Sequence, residues 1–236
     1  MTTTLIRNAA YAIAWDATER HHVYLTNADI AFTGNQIVHV GREFAGTAER
    51  EIDGAGLLVM PGLVNLHCHP FSEPMNKGMW DEIGSPHLYN TSLYEHLPIL
   101  GPDAEGTPAC YRVALSELLL SGVTTICDLS VPSETWLDLL AESGIRACIA
   151  PMYRSARWFT RNGHAVEYEW EPAGVQGLET ALGLVARAEQ HECGRLFGML
   201  SPSQVDTCSE ALLRDSVAAA QERDIRIHIH AGQSLA

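Results

Sequence analysis

The sequence predicts an α/β protein in which a small all-β segment precedes a long series of alternating strands and helices. Three observations support this class. Five apolar, strand-like runs follow residue 61; helical patterns with recognisable start and stop signals lie between them; and short runs rich in Ile, Val, Leu and Tyr, separated by turn dipeptides, fill the first 60 residues. We therefore expect a small β-sandwich segment over residues 1–60 and a strand–helix domain over residues 61–236.

The first 60 residues contain six short apolar runs separated by turn signals. The dipeptides Gly34-Asn35 and Asp53-Gly54 are turn signals, and the second is typical of a tight turn. This segment is too short for a complete sandwich, so we expect it to gain strands from elsewhere in the polypeptide. The predicted strands are Thr4–Ile6, Tyr11–Trp15, His22–Thr26, Ile30–Thr33, Ile37–Val40 and Leu57–Met60.

The remaining chain is predicted as five strands separated by four helices. The first helix begins at Thr107-Pro108 and ends at Gly122, the second is capped by Ser133 and ends at Gly144, and the fourth begins at Ser209. The third helix covers residues 178–190, after a long loop over residues 151–172. The five predicted strands are Leu63–His69, Val123–Leu129, Ile145–Ala150, Arg195–Leu200 and Ile225–His230.

Consecutive strand–helix repeats imply parallel strands joined by right-handed crossovers, and both a doubly wound sheet and a barrel fit this pattern. Strands one and five both end in histidine, which favours a (β/α)₈ TIM-type barrel, where catalytic groups gather at the carboxyl ends of strands. Such a barrel needs about eight units and this chain supplies about five. We therefore expect the sequence to be the first part of a larger enzyme.

Composition narrows the possible partners and location. The formal net charge of −14 argues against nucleic acid and anionic membranes, which select basic surfaces. The N-terminus lacks the pattern of a signal peptide, and no apolar run is long enough to span a membrane. The six cysteines contain no C-x-x-C pair, so we expect reduced thiols in a cytoplasmic protein. We also expect a small-molecule substrate and assembly into a homo-oligomer.

The candidate functional residues begin with two histidines at the end of strand one. His67 and His69 are spaced i, i+2, so their side chains project from one face of the strand while Cys68 points away. In strand five, His228 and His230 share a face, with His230 at the strand end. Three imidazoles at strand carboxyl ends can converge on one cation, which leaves room for water and lowers its pKa toward neutrality.

Two further residues admit two interpretations each. His228 lies about one layer deeper than His230; a hydrogen-bonded core histidine is favoured there over a residue that supports the metal ligands. Asp128 ends strand two and is interpreted either as a carboxylate that orients a ligand histidine or as a buried structural acid or helix cap.

Three pieces of the sequence together resemble the amidohydrolase superfamily, and within it the branch of aromatic deaminases and chlorohydrolases. They are the stretch from Val59 to His69, the stretch Glu117–Thr125 with its Ser-Gly-Val-Thr-Thr, and Ile227-His228-Ile229-His230. The resemblance implies metal ligands at His67, His69 and His230, and zinc, or alternatively iron, as the cation that activates water against C–N or C–halogen bonds.

The sequence departs from the family pattern at three points. A further histidine and an aspartate that the family uses as ligand and proton shuttle have no counterpart here, so the catalytic acid and base are expected in an absent C-terminal part. Gln233 stands where deaminases of the branch carry glutamate, and an amide cannot exchange a proton at neutral pH. Strand four carries no lysine, which favours a single metal ion.

The prediction is a metal-dependent hydrolase that acts on a C–N bond of amide, carbamate, urea or amidine type in a small organic molecule. Substrate contacts are predicted for Gln233 and for three residues of the two long loops, Trp80, Tyr153 and Arg154. Two alternatives stay open: an aminohydrolase or chlorohydrolase of an aromatic heterocycle, and a catalytically incomplete fragment that needs the missing C-terminal portion of the same enzyme.

Overall fold

The computed structural model describes residues 1–77, 101–159, 161, 167–171 and 174–232. The chain divides into two compact units, Met1–Gly62 and Leu63–Ala236. Among the described residues, no helix combines the length and apolar character that crossing a lipid bilayer requires.

The first unit is one five-stranded sheet. Its strands are β1 (Thr3–Asp16), β2 (His21–Thr33), β3 (Gln36–Gly41), β4 (Arg50–Asp53) and β5 (Leu58–Val59). The sheet order is β3-β2-β1-β4, and β5 also pairs with β1. The predicted reversal at Gly34-Asn35 connects β2 to β3 and is confirmed. A second sheet that would complete a sandwich is not formed within the described part of this unit.

Strands β1 and β2 are longer than predicted because each contains two of the predicted runs. The register between them shifts between Ile6 and Ala9. At this bulge Asn8 has φ 55° and Asn27, on the facing strand, has φ 51°, both in the left-handed region. The buried carboxylate of Asp29 accepts a hydrogen bond from the Asn8 amide at 2.9 Å and stabilises the bulge. The bulge interrupts the two-residue alternation of side chains, so one bent strand looks like two in the sequence.

The predicted tight turn at Asp53-Gly54 is confirmed: the Leu57 amide donates to the Gly54 carbonyl oxygen at 2.9 Å, and the Ala55 amide donates to the Asp53 side chain at 2.9 Å. Strands β4 and β5 both run parallel to β1, so this turn joins two strands of the same direction and does not form a hairpin. The glycine also permits a close approach: a Cβ on Gly54 would lie 2.7 Å from the Ala9 nitrogen and 2.8 Å from the Arg7 carbonyl oxygen. The bulged backbone of β1 occupies the space that a side chain would need.

The second unit alternates strands and helices as predicted, with additional short strands. Its elements are β6 (Leu63–Cys68), α1 (Glu73–Asn76), α2 (Gly106–Leu120), β7 (Val123–Asp128), α3 (Trp136–Ser143), β8 (Arg146–Ile149), β9 (Met152–Tyr153), β10 (Ala156–Phe159), β11 (Glu167–Trp170), α4 (Gly174–Glu189), β12 (Leu196–Gly198), β13 (Ser201–Pro202) and α5 (Glu210–Arg223).

The parallel strands of this unit lie side by side in chain order. The main sheet has the order β12-β8-β7-β6 with all neighbours parallel. The predicted fifth strand, residues 225–230, continues this sheet through parallel bridges from Leu200 to Ile227 and from Gln204 to His230. The prediction of a parallel α/β class is therefore confirmed.

The sheet curls strongly along this order. Residue His67 belongs to β6 at one edge, and His230 belongs to the fifth segment at the other edge. Five strands laid flat would separate those edges by about 19 Å, given a spacing of about 4.8 Å between neighbours. Yet the Nε2 atoms of His67 and His230 are 3.3 Å apart. The carboxyl ends of the first and fifth strands therefore face each other across a concave surface.

Local signals placed some helix ends correctly and missed others. Helix α5 is capped by Ser209, whose side chain accepts from the Leu212 amide, and α3 ends at left-handed Gly144, both as predicted. Helix α2 begins at Gly106 rather than after Thr107 because the Asp103 side chain accepts a hydrogen bond from the Gly106 amide at 2.7 Å. Helix α3 likewise begins at Trp136, three residues after the predicted cap at Ser133.

The predicted loop over residues 151–172 contains strands. Strand β9 pairs with β13, and β10 forms an antiparallel pair with β11 in which Ala156 faces Trp170. In the first predicted loop, α1 is described and residues 78–100 lie outside the described part of the chain.

Candidate metal centre

Three histidine side chains from the two edges of the curled sheet meet at one point. His67 lies in β6, His69 follows it directly, and His230 ends the fifth segment. The Nε2 atom of His67 is 3.1 Å from Nε2 of His69 and 3.3 Å from Nε2 of His230, and one nitrogen of each ring lies within 4.8 Å of the others. Cys68 is buried on the opposite side, where its thiol donates to the Cys127 carbonyl.

Two backbone carbonyls aim these rings. The Nδ1–H of His69 donates to the Leu129 carbonyl oxygen at 2.5 Å, and the Nδ1–H of His230 donates to that of Ser203 at 2.6 Å. In the neutral form, a ring bonded in this way presents the lone pair of Nε2 to the meeting point. Such outer hydrogen bonds are the usual means of fixing the orientation of a metal-binding imidazole.

The distances from Nε2 of His67 to the other two nitrogens suit a divalent cation. Two imidazole nitrogens that share a tetrahedral zinc ion at about 2.0–2.1 Å lie about 3.3 Å apart. The observed separations of 3.1 and 3.3 Å match that value. Without a cation or a shared proton, lone pairs at this distance would repel one another. The donor set therefore fits zinc or iron, both of which bind imidazole.

Burial keeps the rings in the form that can bind metal. Burial lowers the pKa of His69 to about 4, against the opposing effect of its hydrogen bond to Leu129. Burial, followed by repulsion from His230 and His228, also lowers the pKa of His67 below its ordinary value. At neutral pH both imidazoles are therefore uncharged, and each has one ring nitrogen without a proton.

His228 lies against the metal-facing group rather than in the core. Its Nε2 is 3.0 Å from Nδ1 of His67, and its Nδ1 is 3.7 Å from the Cys127 sulfur. The side chain is half-buried. The interpretation of His228 as a core histidine was favoured from the sequence, whereas the structure places it in direct contact with a predicted ligand.

The structure favours the interpretation of Asp128 as a buried structural acid. Its carboxylate is fully buried and accepts hydrogen bonds from the Ser130 hydroxyl and from Nε1 of Trp136, the latter at 2.7 Å. The hydrogen bonds that orient His69 and His230 are made instead to the carbonyls of Leu129 and Ser203. The prediction of a histidine-orienting carboxylate is corrected accordingly.

The buried carboxyl of Asp128 is expected to make stability depend on pH. Burial raises its pKa from 3.8 to about 7, against the hydrogen bonds from Ser130 and Trp136. The unfolded chain loses this proton above pH 4 while the folded chain keeps it, so stability falls as pH rises from 4 to 7, by on the order of 3 kcal/mol.

Thermal unfolding of Asp128→Asn and of the parent chain between pH 4 and 8 would measure this contribution. The asparagine oxygen can accept from Trp136 and its amide can donate to the Ser130 oxygen, so the packing is retained. We expect the difference between the two stabilities to change across this window and to level off above pH 7. Parallel curves would contradict the proposed burial effect.

The four predicted substrate contacts have different outcomes. Tyr153 is buried in a hydrophobic cluster, and its hydroxyl donates to Ser216 at 2.8 Å, so its role is corrected to a structural one. Burial raises the pKa of this hydroxyl to about 12. Arg154 is exposed to solvent and stays a prediction. Trp80 and Gln233 lie outside the described residues.

A cavity of about 250 Å³ adjoins the histidines and was not predicted from the sequence. Asn76, at the end of α1, is almost fully buried at 6% exposure, and its side-chain oxygen has no hydrogen-bond partner among the described residues. Polar residues following the first strand were a general signal for this region, but nothing in their pattern distinguished Asn76. The cavity is lined by Asn65, His67, Cys68, His69, Glu73 and Asn76.

The parallel strand order and the histidine group together define an α/β protein with a candidate metal centre at the carboxyl ends of its strands. Comparison with known families agrees: residues 58–236 match the amidohydrolase family. The chain belongs to that family.

Individual relatives carry related names. A 5-methylthioadenosine/S-adenosylhomocysteine deaminase from Halobacterium salinarum is 30% identical over 202 residues, covering 84% of this chain and 42% of the relative. A 5'-deoxyadenosine deaminase from Methanosphaera stadtmanae is 25% identical over 211 residues, covering 89% and 46%. The solved structure of the atrazine chlorohydrolase TrzN from Arthrobacter aurescens TC1, complexed with zinc, is 25% identical with a TM-score of 0.70, covering 96% of this chain and 52% of that one.

All three matches cover much more of this chain than of the related protein. They include most of this chain, while the chain spans less than half the length of the curated relatives and about half of the solved structure.

Proposed function

We propose that this chain supplies the metal-binding residues of a metal-dependent hydrolase that breaks a C–N bond of amide, carbamate, urea or amidine type in a small organic molecule. The observation that carries the proposal is the convergence of the Nε2 atoms of His67, His69 and His230. Membership of the amidohydrolase family supports the same reaction class.

Different residues of the chain have different roles in this proposed site. His67, His69 and His230 hold one cation, and the Leu129 and Ser203 carbonyls keep two of the rings aimed. When bound, the cation supplies Lewis-acid chemistry that makes water nucleophilic near neutral pH. A single ion fits because residues 196–200 contain no lysine that could bridge two. The amide of Gln233 would orient the substrate without exchanging a proton.

The finer fold assignment is also a proposal. We assign the second unit to the first part of a (β/α)₈ barrel and the first unit to part of a β-sandwich, both completed by further strands. The chain-order sheet and its curl support a barrel, because only a closing sheet brings strands one and five face to face. Apolar side chains of β6, at the edge of the described sheet, are exposed: Leu63 (49%), Val64 (58%) and Leu66 (71%). Added strands and their side chains would cover them.

A second candidate function is favoured by the relatives' names. Deaminases of adenosine derivatives and a chlorohydrolase of atrazine act on aromatic heterocycles, so an aminohydrolase or chlorohydrolase of such a ring is the alternative. Gln233 discriminates between the two, because a deaminase needs a group that passes a proton to the ring and an amide does not do so at neutral pH.

Metal content and product identity test the proposal together. The purified chain, equilibrated with zinc and then desalted, is expected to retain about one zinc per chain by elemental analysis, as three imidazole ligands would allow. A folded chain that retains no zinc would overturn the proposal. Substrate panels would then be scored for amine with carboxylate, for ammonia and for chloride, which separate the first function from its alternative. Zinc retention without any turnover would select the other alternative, a catalytically incomplete fragment that needs the C-terminal portion of the enzyme.

Location and assembly stay predictions. All six cysteines are unpaired, which supports a reducing compartment such as the cytoplasm. We expect a homo-oligomer, and the mass of the protein in solution would test it.

A further inference from the structure

A line of hydrogen-bonding groups runs from the candidate metal centre into the interior of the unit. Nδ1 of His67 lies 3.0 Å from Nε2 of His228, and Nδ1 of His228 lies 3.7 Å from the sulfur of Cys127. That sulfur is also 4.0 Å from the sulfur of Met199. Each neutral imidazole has one donor and one acceptor nitrogen, so the direction of one bond in this line determines the direction of the next.

In the absence of a cation, the three converging histidines determine which atom donates in each hydrogen bond of the line. The Nε2 atoms of His69 and His230 are acceptors, because the Nδ1–H of each ring donates to a backbone carbonyl. Nε2 of His67 must then carry a proton to avoid three facing lone pairs. Its Nδ1 is therefore an acceptor for Nε2–H of His228, and Nδ1 of His228 is an acceptor for the thiol of Cys127.

If Nε2 of His67 held a cation, every bond in the line would reverse. His67 would carry its proton on Nδ1 and donate it to Nε2 of His228. His228 would carry its proton on Nδ1 and donate it to the Cys127 sulfur, and the thiol of Cys127 would donate to the sulfur of Met199. Proton number is conserved: one proton leaves Nε2 of His67 for water, two shift along the line, and one from water restores the thiol of Cys127.

We propose that His228 is a positioning residue that changes its own tautomer when the cation binds and then accepts the Nδ1 proton of His67, which supports the metal-binding tautomer of that ring. The inference rests on the proposed metal site. His228 does not serve as a fourth ligand, because both of its ring nitrogens are directed at other groups: one at His67 and the other at Cys127. Removing an outer hydrogen bond of this kind lowers metal affinity by roughly 10–100-fold in other proteins.

Imidazole ¹⁵N NMR of the intact chain tests the exchange directly. We expect His228 to have its proton on Nε2 without zinc and on Nδ1 after zinc is added, while His22, an exposed histidine of the first unit, keeps its tautomer. An unchanged His228 tautomer upon zinc binding would overturn the inference. If the chain does not bind zinc, the proposed function fails, and a proton on Nδ1 of His228 in the metal-free chain would independently overturn the relay.

Two variants separate positioning from simple packing. His228→Leu keeps an apolar side chain of similar bulk but offers no acceptor, and we expect zinc affinity to fall by roughly 10–100-fold. His228→Gln places an amide oxygen near the former Nε2 and is expected to restore most of that loss. Equal affinity in the parent and His228→Leu would contradict positioning, and so would an equal loss in both variants. The NMR experiment needs neither variant to fold.

Discussion

Replacing His69 with alanine is expected to lower the zinc affinity of the chain by more than about 100-fold, since loss of an outer hydrogen bond alone costs roughly 10–100-fold. His69 contributes one of the three converging nitrogens, and its Nδ1–H bond to Leu129 leaves it little freedom. The two remaining imidazoles are too few for a typical protein zinc site. Competition with a chromophoric chelator at pH 7.5 would measure the change.

The control for this experiment is a histidine outside the site. His21→Ala removes an exposed histidine of the first unit that is not one of the three converging residues, and it should leave zinc affinity unchanged within about twofold. The pH dependence adds a second check. Because burial lowers the pKa of His69 to about 4, this ring should stay available for metal well below the ordinary histidine pKa of 6.5. Zinc bound equally well by His69→Ala would show that another set of residues holds it.

Replacing Trp136 with alanine is expected to destabilise the second unit by about 3–5 kcal/mol. The side chain is fully buried in the main cluster with Leu140 and Tyr111, so its loss leaves a large cavity. It also removes the N–H that one oxygen of Asp128 accepts, which leaves a buried carboxylate oxygen without that donor. Thermal unfolding should show a decrease of about 10 °C in the transition of this unit.

Two matched tryptophan variants define what the loss means. Trp136→Phe fills most of the volume but lacks the N–H, so its stability should lie between that of the parent and Trp136→Ala. Trp15→Ala changes a tryptophan that is 53% exposed in the first unit and should shift stability by no more than about 0.5 kcal/mol. A decrease in unfolding temperature of no more than about 2 °C for Trp136→Ala, instead of the expected decrease of about 10 °C, would contradict the role of this side chain in the core.

The residues that the sequence could reveal are those whose chemistry is rare. His67 and His69 stand at i, i+2 at the end of an apolar strand, and His230 ends another, so both their type and their position pointed to one edge of a sheet. The carbonyls of Leu129 and Ser203 that aim two of the rings had no such signal, because every residue carries a carbonyl.

Other errors came from competing tertiary effects. Tyr153 lies in a region rich in aromatic residues, and the sequence alone could not decide between a binding surface and the core. The structure decides for the core through its bond to Ser216. The two halves of β1 looked separate because the left-handed Asn8 breaks their alternation. Gly54 was correctly predicted as a turn residue, but the close approach of Ala9, which also requires a glycine there, had no signal in the sequence.

The distance along the chain between His67 and His230, 163 residues, has a consequence for biosynthesis. Ribosomes add residues at about 5–20 per second, so roughly 10–30 seconds separate the emergence of the two side chains. During that interval the nascent polypeptide offers only the His67–His69 pair, a weak chelator. If the three histidines hold the cation as proposed, its tight capture would await docking of the fifth strand, and acquisition of the metal would come late in the maturation of this fold.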